Sequence, residues 1–339
     1  MLFPFRSEEI MAGSGKAHLQ GGENVVLHVE DLVVEYRAAG NQKVQAVSGI
    51  SLDLIKGETL AIVGESGCGK STFGKAVMQI VRPTAGSVVF QGVDLMKSSK
   101  EELRQLRPKM QMIFQDPVSS LDPRFTVSKI VKEPLEIWSR GSDAEQEAKI
   151  DELLNSVGLD PALVRERHAY EFSGGQCQRI SIARALALSP EILICDEPVS
   201  ALDVSVQAQI LNLLQDMKDQ YGLTMIFISH DLAVVKSVST RVMVMYLGKV
   251  CEIGNPSDLY KTPRHHYTNA LISAIPVPDP LFAITPQIIA GDPPSPTNPP
   301  SGCRFRTRCP AATDLCAAQE PQLREITPGT YVACHHPRD

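Results

Sequence analysis

Long apolar runs are missing from this 339-residue chain. A helix that crosses a membrane needs roughly 20 consecutive apolar residues, and the longest apolar stretches here, around Thr224 to Ser229 and Val242 to Leu247, are strand-sized. The chain is therefore not expected to cross a bilayer itself. A secretory leader is not expected either, because MLFPFRSEEIMAG is interrupted by Pro4, Glu8 and Glu9, which leaves no apolar signal core. A cytosolic location is expected, and its reducing chemistry argues against disulfides. Charge of one sign is scarce: Lys+Arg number 33 and Asp+Glu 39, a formal −6, so there is no general pull toward nucleic acid or acidic lipid. Aromatic residues make up only 5%, too few for base-stacking platforms. Nucleic acid is not an expected partner.

What is present suits an ordinary globular protein, with 43% hydrophobic and 21% charged residues. Its length accommodates one large α/β domain plus an appendage. Residues 1–24 carry Gly, Ser and mixed charge without periodicity and are expected to form a loose leader. VVLHVEDLVVEY (Val25 to Tyr36) and ETLAIVG (Glu58 to Gly64) read as strands, and Lys70 to Val81 as a helix. Ser99 with Glu102 suits a capping box, while Ile150, Leu153, Leu154 and Val157 share one helical face within an expected helical insertion. Glu191 to Cys195, Thr224 to Ser229 and Arg241 to Tyr246 are apolar on both faces, which implies a mostly parallel sheet covered on both sides. From Pro276 to Pro300 repeated prolines predict a linker or extended arm.

GESGCGKS, Gly64 to Ser71, places glycines, a lysine and a hydroxyl between strand and helix, the context that a phosphate-binding loop demands. Glycine is needed where successive N–H groups curl around phosphate oxygens. Lys70 would neutralise the β- and γ-phosphates, Ser71 would ligate Mg²⁺, and the helix would point its positive end at the anion. The loop by itself says nucleotide and leaves kinase, GTPase and motor readings open.

FSGGQCQR, Phe172 to Arg179, narrows the choice. Ser173 can cap a helix whose first residues, Gly174 and Gly175, leave amides uncovered, which makes a second anion site. EILICDEP follows, an apolar strand that ends in Asp196 and Glu197; then come SALD at Ser200 to Asp203 and His230 after a third apolar run. Together these motifs resemble the ATP-binding cassette of ABC transporters, with Phe172 in place of the usual signature leucine. The resemblance implies a P-loop NTPase fold: a RecA-like α/β core, an antiparallel β subdomain and a helical subdomain at about 116–188, all within residues 25–262. It implies ATP and Mg²⁺ contacts from Gly64, Glu65, Ser66, Gly67, Cys68, Gly69, Lys70, Ser71 and Thr72. Asp196 would hold Mg²⁺ through water, Glu197 would orient or deprotonate the attacking water, and His230 would sense the γ-phosphate. Gln115 matches the Q-loop glutamine at Mg²⁺ or water, Asp203 the D-loop, and Tyr36 the residue that stacks on adenine. Ser173, Gly174, Gly175 and Gln176 would serve the ATP of a second cassette in a head-to-tail dimer.

PRHHYTNALISAIP (Pro263 to Pro276) and GDPPSPTNPPSGCRFRTRCP (Gly291 to Pro310) resemble the C-terminal region of dipeptide and oligopeptide importer ATPases, with His266 where that family usually has proline. That resemblance implies two permease subunits, a solute-binding protein outside, and a peripheral place on the cytoplasmic face of a bacterial inner membrane. Opine, nickel or sugar importers and a soluble, non-transport ABC ATPase are the alternatives. Cys303, Cys309, Cys316 and Cys334 crowd into 263–339. Their spacing leaves zinc and iron–sulfur comparable, and the family resemblance implies a 4Fe-4S cluster. His335 and His336 stand beside Cys334 as substitute ligands.

Overall fold

Every side chain of TLAIV, ILICD and TMIFIS is buried. Strands apolar on both faces need cover on both, and a parallel arrangement with flanking helices supplies it. The computed structural model describes residues 15–38, 42–275, 289 and 291–339. The chain divides into two units, one within residues 1–99 and 229–339, the other within 100–228.

The first unit begins with β1 (Val25–Arg37), β2 (Lys43–Ile55), β3 (Thr59–Val63), α1 (Lys70–Val77), β4 (Ala85–Phe90) and β5 (Val93–Asp94). Four of these strands make a sheet in the order β2-β1-β4-β5, with antiparallel pairing throughout. Leu27, Val29, Leu32 and Val34 of β1 point inward, and the register shift between Val29 and Leu32 keeps all four on the buried face.

The described part of the expected leader is docked rather than loose. His18 is buried, with its Nε2 2.7 Å from Ser51 O. Lys16 pairs with Glu30 at 2.5 Å and Asp31 at 2.7 Å. The amides of Gln20 and Gly21 donate to the Asp53 carboxylate at 2.8 and 2.9 Å. A fully buried carboxylate needs such donors, which corrects the expectation for residues 15–24. Residues 1–14 of that leader lie outside the described residues.

The second unit runs α2 (Lys100–Leu106), β6 (Met110–Ile113), α3 (Val127–Ile137), α4 (Asp143–Ser156), α5 (Pro161–Val164), α6 (Gly174–Leu186), β7 (Ile192–Asp196), α7 (Val204–Tyr221) and β8 (Thr224–Ser229). Strands β6, β7 and β8 pair in parallel, with Ile113 opposite Cys195 and Asp196 opposite Ile228. A Ser142–Glu145 capping box starts α4. Its face of Ile150, Leu153 and Leu154, together with Val157, is completely buried, worth about 1.5–3 kcal/mol per side chain.

The chain then re-enters the first unit through α8 (Leu232–Val238), β9 (Arg241–Tyr246), β10 (Lys249–Gly254), α9 (Pro256–Lys261), α10 (His266–Ser273), α11 (Asp314–Ala318), β11 (Arg324–Thr327) and β12 (Thr330–Val332). Here β3 pairs with β9 in parallel, and β10, β12 and β11 continue antiparallel from β9. The tail thus extends the sheet: Glu252 of β10 lies opposite Val332 of β12. The 276–288 and 290 part of the expected linker lies outside the described residues, and 291–300 form neither helix nor strand.

The Asp53 node carries a pH signature. His28 Nδ1 lies 2.5 Å from Asp53 Oδ1, and that bond raises the imidazole above its ordinary 6.5. Burial opposes charge on Asp53, but His28 and the amides of Gly21 and Gln20 outweigh it and hold the carboxyl below its ordinary 3.8. The imidazolium contribution is full below 6.5 and fades as pH rises through the raised value; the carboxylate contribution is full above 3.8 and fades as pH falls. His28→Gln is therefore expected to cost about 2 kcal/mol between these values and progressively less as pH rises through the raised imidazole value, read as urea midpoints across pH. A flat difference would refute the ion pair.

Candidate nucleotide-binding site

In the first unit, the chain leaves β3 at Val63, loops through Gly64–Gly69 and enters α1 at Lys70. Gly69 is the N-cap of α1 with φ 106°, and a Cβ there would lie 2.0 Å from Ala46 O. Only glycine meets both conditions. Lys70 is buried, and its ammonium donates to the carbonyls of Gly64 at 2.8 Å and Glu65 at 3.1 Å. Cys68 N–H donates to Glu65 O at 3.2 Å, while Gly248 N–H donates to Cys68 O at 2.8 Å. The loop is thus a closed curl of main chain around a lysine. Ser71 and Thr72 fall in the first turn of α1. Tyr36 is 39% exposed near the end of β1, open to a stacking partner. His230 is exposed immediately after β8.

In the second unit, Ser173 caps α6 in a full capping box: Gln176 N–H donates to Ser173 Oγ at 3.4 Å, and Ser173 N–H donates to Gln176 Oε1 at 3.0 Å. The amides of Gly174 and Gly175 lie between them at the positive end of the helix. A Cβ on Gly175 would meet Val206 Cγ1 at 2.6 Å, so a side chain there would push α6 from α7. Arg167 stacks over the Phe172 ring at 4.4 Å, a cation–π contact that a leucine at this position would not make.

Asp196 ends β7 and is buried. Glu197 follows with φ +49°, a left-handed conformation that costs a side-chain-bearing residue about 1–3 kcal/mol. Its N–H donates to Ile228 O at 3.0 Å, and its carboxylate accepts from Gln115 Nε2 at 3.0 Å. The structure thus brings together Gln115 and Glu197, 82 residues apart in the chain. Asp203 is the N-cap of α7, its side chain making no capping bond, and the adjacent Val204 is 82% exposed.

The four-cysteine cluster is corrected. Among the described residues no group of three or more His, Cys, Asp or Glu side chains comes together in a way that could hold a metal ion. Burial pushes the Cys303 and Cys309 thiols up, and Cys334 to about 11. Thr313 Oγ1 lies 3.7 Å from Cys316 Sγ. The two candidate substitutes are occupied: His335 Nε2 lies 3.0 Å from Gln319 O, and His336 Nε2 lies 2.9 Å from Thr313 Oγ1. Neither 4Fe-4S nor zinc is retained. Contacts that no local pattern announces appear at Glu65 instead, where Tyr267 and Arg308 reach the loop.

Comparison with known proteins gives consistent matches. The family described as ABC transporter matches residues 47–200, and that described as Oligopeptide/dipeptide transporter, C-terminal region, matches 251–316. A putative peptide import ATP-binding protein of Brucella ovis is 50% identical over 312 residues, 92% of this chain and 98% of that one. The oligopeptide transport ATP-binding protein OppF of Escherichia coli is 49% identical over 313 residues, 89% of this chain and 93% of that one. Among solved structures, cbiO1 of Clostridium perfringens, part of an ABC transporter complex, has TM-score 0.63 at 30% identity, covering 70% of this chain and 92% of its own. The dimeric ATP-binding cassette MJ0796, in a post-hydrolysis state bound to ADP and Pi, has TM-score 0.62 at 29% identity, covering 68% and 98%.

Two substitutions test the backbone reading. Gly69→Ala is expected to lower the thermal unfolding midpoint, because it adds both strain and a clash. Glu197→Gly is expected to leave the midpoint unchanged or raise it by about 2 °C, since it relieves left-handed strain. Calorimetry giving the opposite order would contradict the geometry.

Proposed function

The chain belongs to the ABC transporter family as an ATP-binding subunit, and from that footing we propose that it powers binding-protein-dependent import of di- or oligopeptides. The observation that carries this reading is continuity: one chain matches both the cassette and the peptide-transporter C-terminal region, and relatives named for peptide import align along nearly its whole length. No helix among the described residues is long and apolar enough to cross a membrane, so the pathway would be formed by two permease subunits. A solute-binding protein would deliver the peptide, with this chain peripheral on the cytoplasmic face of the inner membrane.

Phosphoryl transfer needs positioning and charge neutralisation more than covalent chemistry. Gly64 to Thr72 would wrap the triphosphate with main-chain N–H groups, Lys70 exchanging loop carbonyls for phosphate oxygens. Tyr36 would stack on the adenine. The buried Asp196 carboxylate and the Ser71 hydroxyl are hard oxygen donors of the kind that would hold Mg²⁺, whose charge would offset that of the phosphates. Glu197, oriented by Gln115, would accept the proton of the attacking water, and His230 would contact the γ-phosphate. The end of α6, with Ser173, Gly174, Gly175 and Gln176, would close over the ATP of a second cassette, identical or paralogous, and Asp203 with Val204 would face that partner. Closure on ATP and reopening after hydrolysis would drive transport.

Glu197→Gln is expected to bind ATP while hydrolysing it at least about 100-fold more slowly, measured as phosphate release by the purified transporter. Adding binding protein with short peptides is expected to stimulate the wild type. Brisk hydrolysis by Glu197→Gln would remove the proposed base, and stimulation by a non-peptide solute alone would remove the peptide assignment.

A further inference from the structure

Glu65, the second residue of the phosphate loop, has every polar group held. Its carbonyl accepts from Lys70 Nζ at 3.1 Å and from Cys68 N–H at 3.2 Å, both within the loop. Its N–H donates to Tyr267 Oη at 2.8 Å, from 202 residues downstream. Its carboxylate accepts two bonds from Arg308, Nη1 to Oε2 at 2.8 Å and Nη2 to Oε1 at 3.2 Å, from 243 residues downstream.

The Arg308 contact is not an ordinary surface ion pair. Its side chain is 7% exposed, against 27% for Glu65, and a bidentate fork fixes angle as well as distance. Nη1 also reaches Tyr246 Oη at 3.3 Å. Beneath this lies a block of three buried rings: Tyr246 meets Tyr267 with centroids 4.7 Å apart, and Phe305 meets them at 5.2 and 5.3 Å. Phe305 belongs to the same RFRTRC segment as Arg308. Arg304, from that segment too, donates to Leu247 O, and its Nη2 donates to Gln45 Oε1 at 2.7 Å. Gln45 precedes Ala46, whose carbonyl backs Gly69. The C-terminal segment therefore grips both Glu65 and the wall behind the loop.

The four handles on Glu65 do not have equal lifetimes. Once Lys70 turns to phosphate oxygens, it releases the Gly64 and Glu65 carbonyls. What then keeps the first bend of the loop in place is the Cys68 N–H within the loop and, from outside it, the downstream pair, Tyr267 and Arg308. The same guanidinium neutralises a carboxylate that would otherwise stand bare beside a triphosphate.

We propose that Arg308, acting with Tyr267, is a positioning residue of the nucleotide site, by which the C-terminal region presets the phosphate loop for ATP. It touches neither substrate nor metal and works through Glu65 by preorganisation, which governs affinity more than the chemical step. The inference rests on reading Gly64–Thr72 as an ATP loop.

The test is ATP binding and steady-state hydrolysis by the purified transporter containing the full chain. Losing a charge-assisted pair while the fold survives is expected to raise the ATP KM about tenfold in Arg308→Ala, with kcat within about twofold. Arg308→Lys keeps charge without the fork and should fall between wild type and Arg308→Ala. Tyr267→Phe removes one hydroxyl and should raise KM about threefold. Combining Glu65→Ala with Arg308→Ala should be no worse than the poorer single variant, because both break one interaction. A purely structural staple would instead lower the unfolding midpoint and the active fraction with KM unchanged, and that result, or additive losses, overturns the proposal. If Arg308→Ala does not fold, Arg308→Lys and Tyr267→Phe decide, and wild-type KM in both overturns it. Lys70→Ala separates the two readings. ATP binding lost in Lys70→Ala but unaltered in the Arg308 and Tyr267 variants overturns the latch alone, whereas a wild type that binds no ATP overturns the loop reading and this inference with it.

Discussion

A lysine ammonium shut away from water must find oxygen, and in this chain Lys70 finds it in the carbonyls of Gly64 and Glu65. Burying an ammonium without partners would cost several kcal/mol. The loop therefore curls so that the Gly64 and Glu65 carbonyls face the lysine. Much of the first unit serves that curl. Ala46 O blocks any side chain at Gly69, and Gly248 N–H pins Cys68 O. A triphosphate would offer the ammonium better acceptors than amide carbonyls do. On that reading the loop is built around a cation whose present partners are substitutes.

Legibility in the sequence followed the range of the interactions. The loop, the N-cap at Ser173 and the buried face of α4 depend on neighbours within a few residues, and local patterns announce them. No local pattern delimits strands β2, β4, β5, β10, β11 and β12. Their pairing partners lie far off, and β2 carries a glycine and a buried Asp53 in the middle of its apolar alternation. The docking of residues 15–24 was unreadable for the same reason, since its anchor is a carboxylate about thirty residues on. Side-chain chemistry misled most in the tail. Four thiols close in sequence looked like a ligand set, whereas the described residues bring no such group together and the nearby histidines bond elsewhere.

Glu197 shows a different kind of constraint. Its backbone is held left-handed between a strand end and a turn, which no residue but glycine adopts freely. A glycine would be easier to fold and could not carry a carboxylate to Gln115. The conformational cost and the carboxylate come together, and strain of this sort tends to gather where chemistry is done.

The docked segment at residues 16–21 bears on how hybrids of such chains can be made. A natural-looking splice at Val25, where the first strand starts, would discard the two amides that serve Asp53 and the imidazole lodged against Ser51. The recipient cassette would inherit an interior carboxylate with fewer donors and a hollow where His18 had been. Chimeras that carry their own residues 15–24 along with β1 and β2 avoid that defect, so the transferable unit begins about ten residues before its first strand.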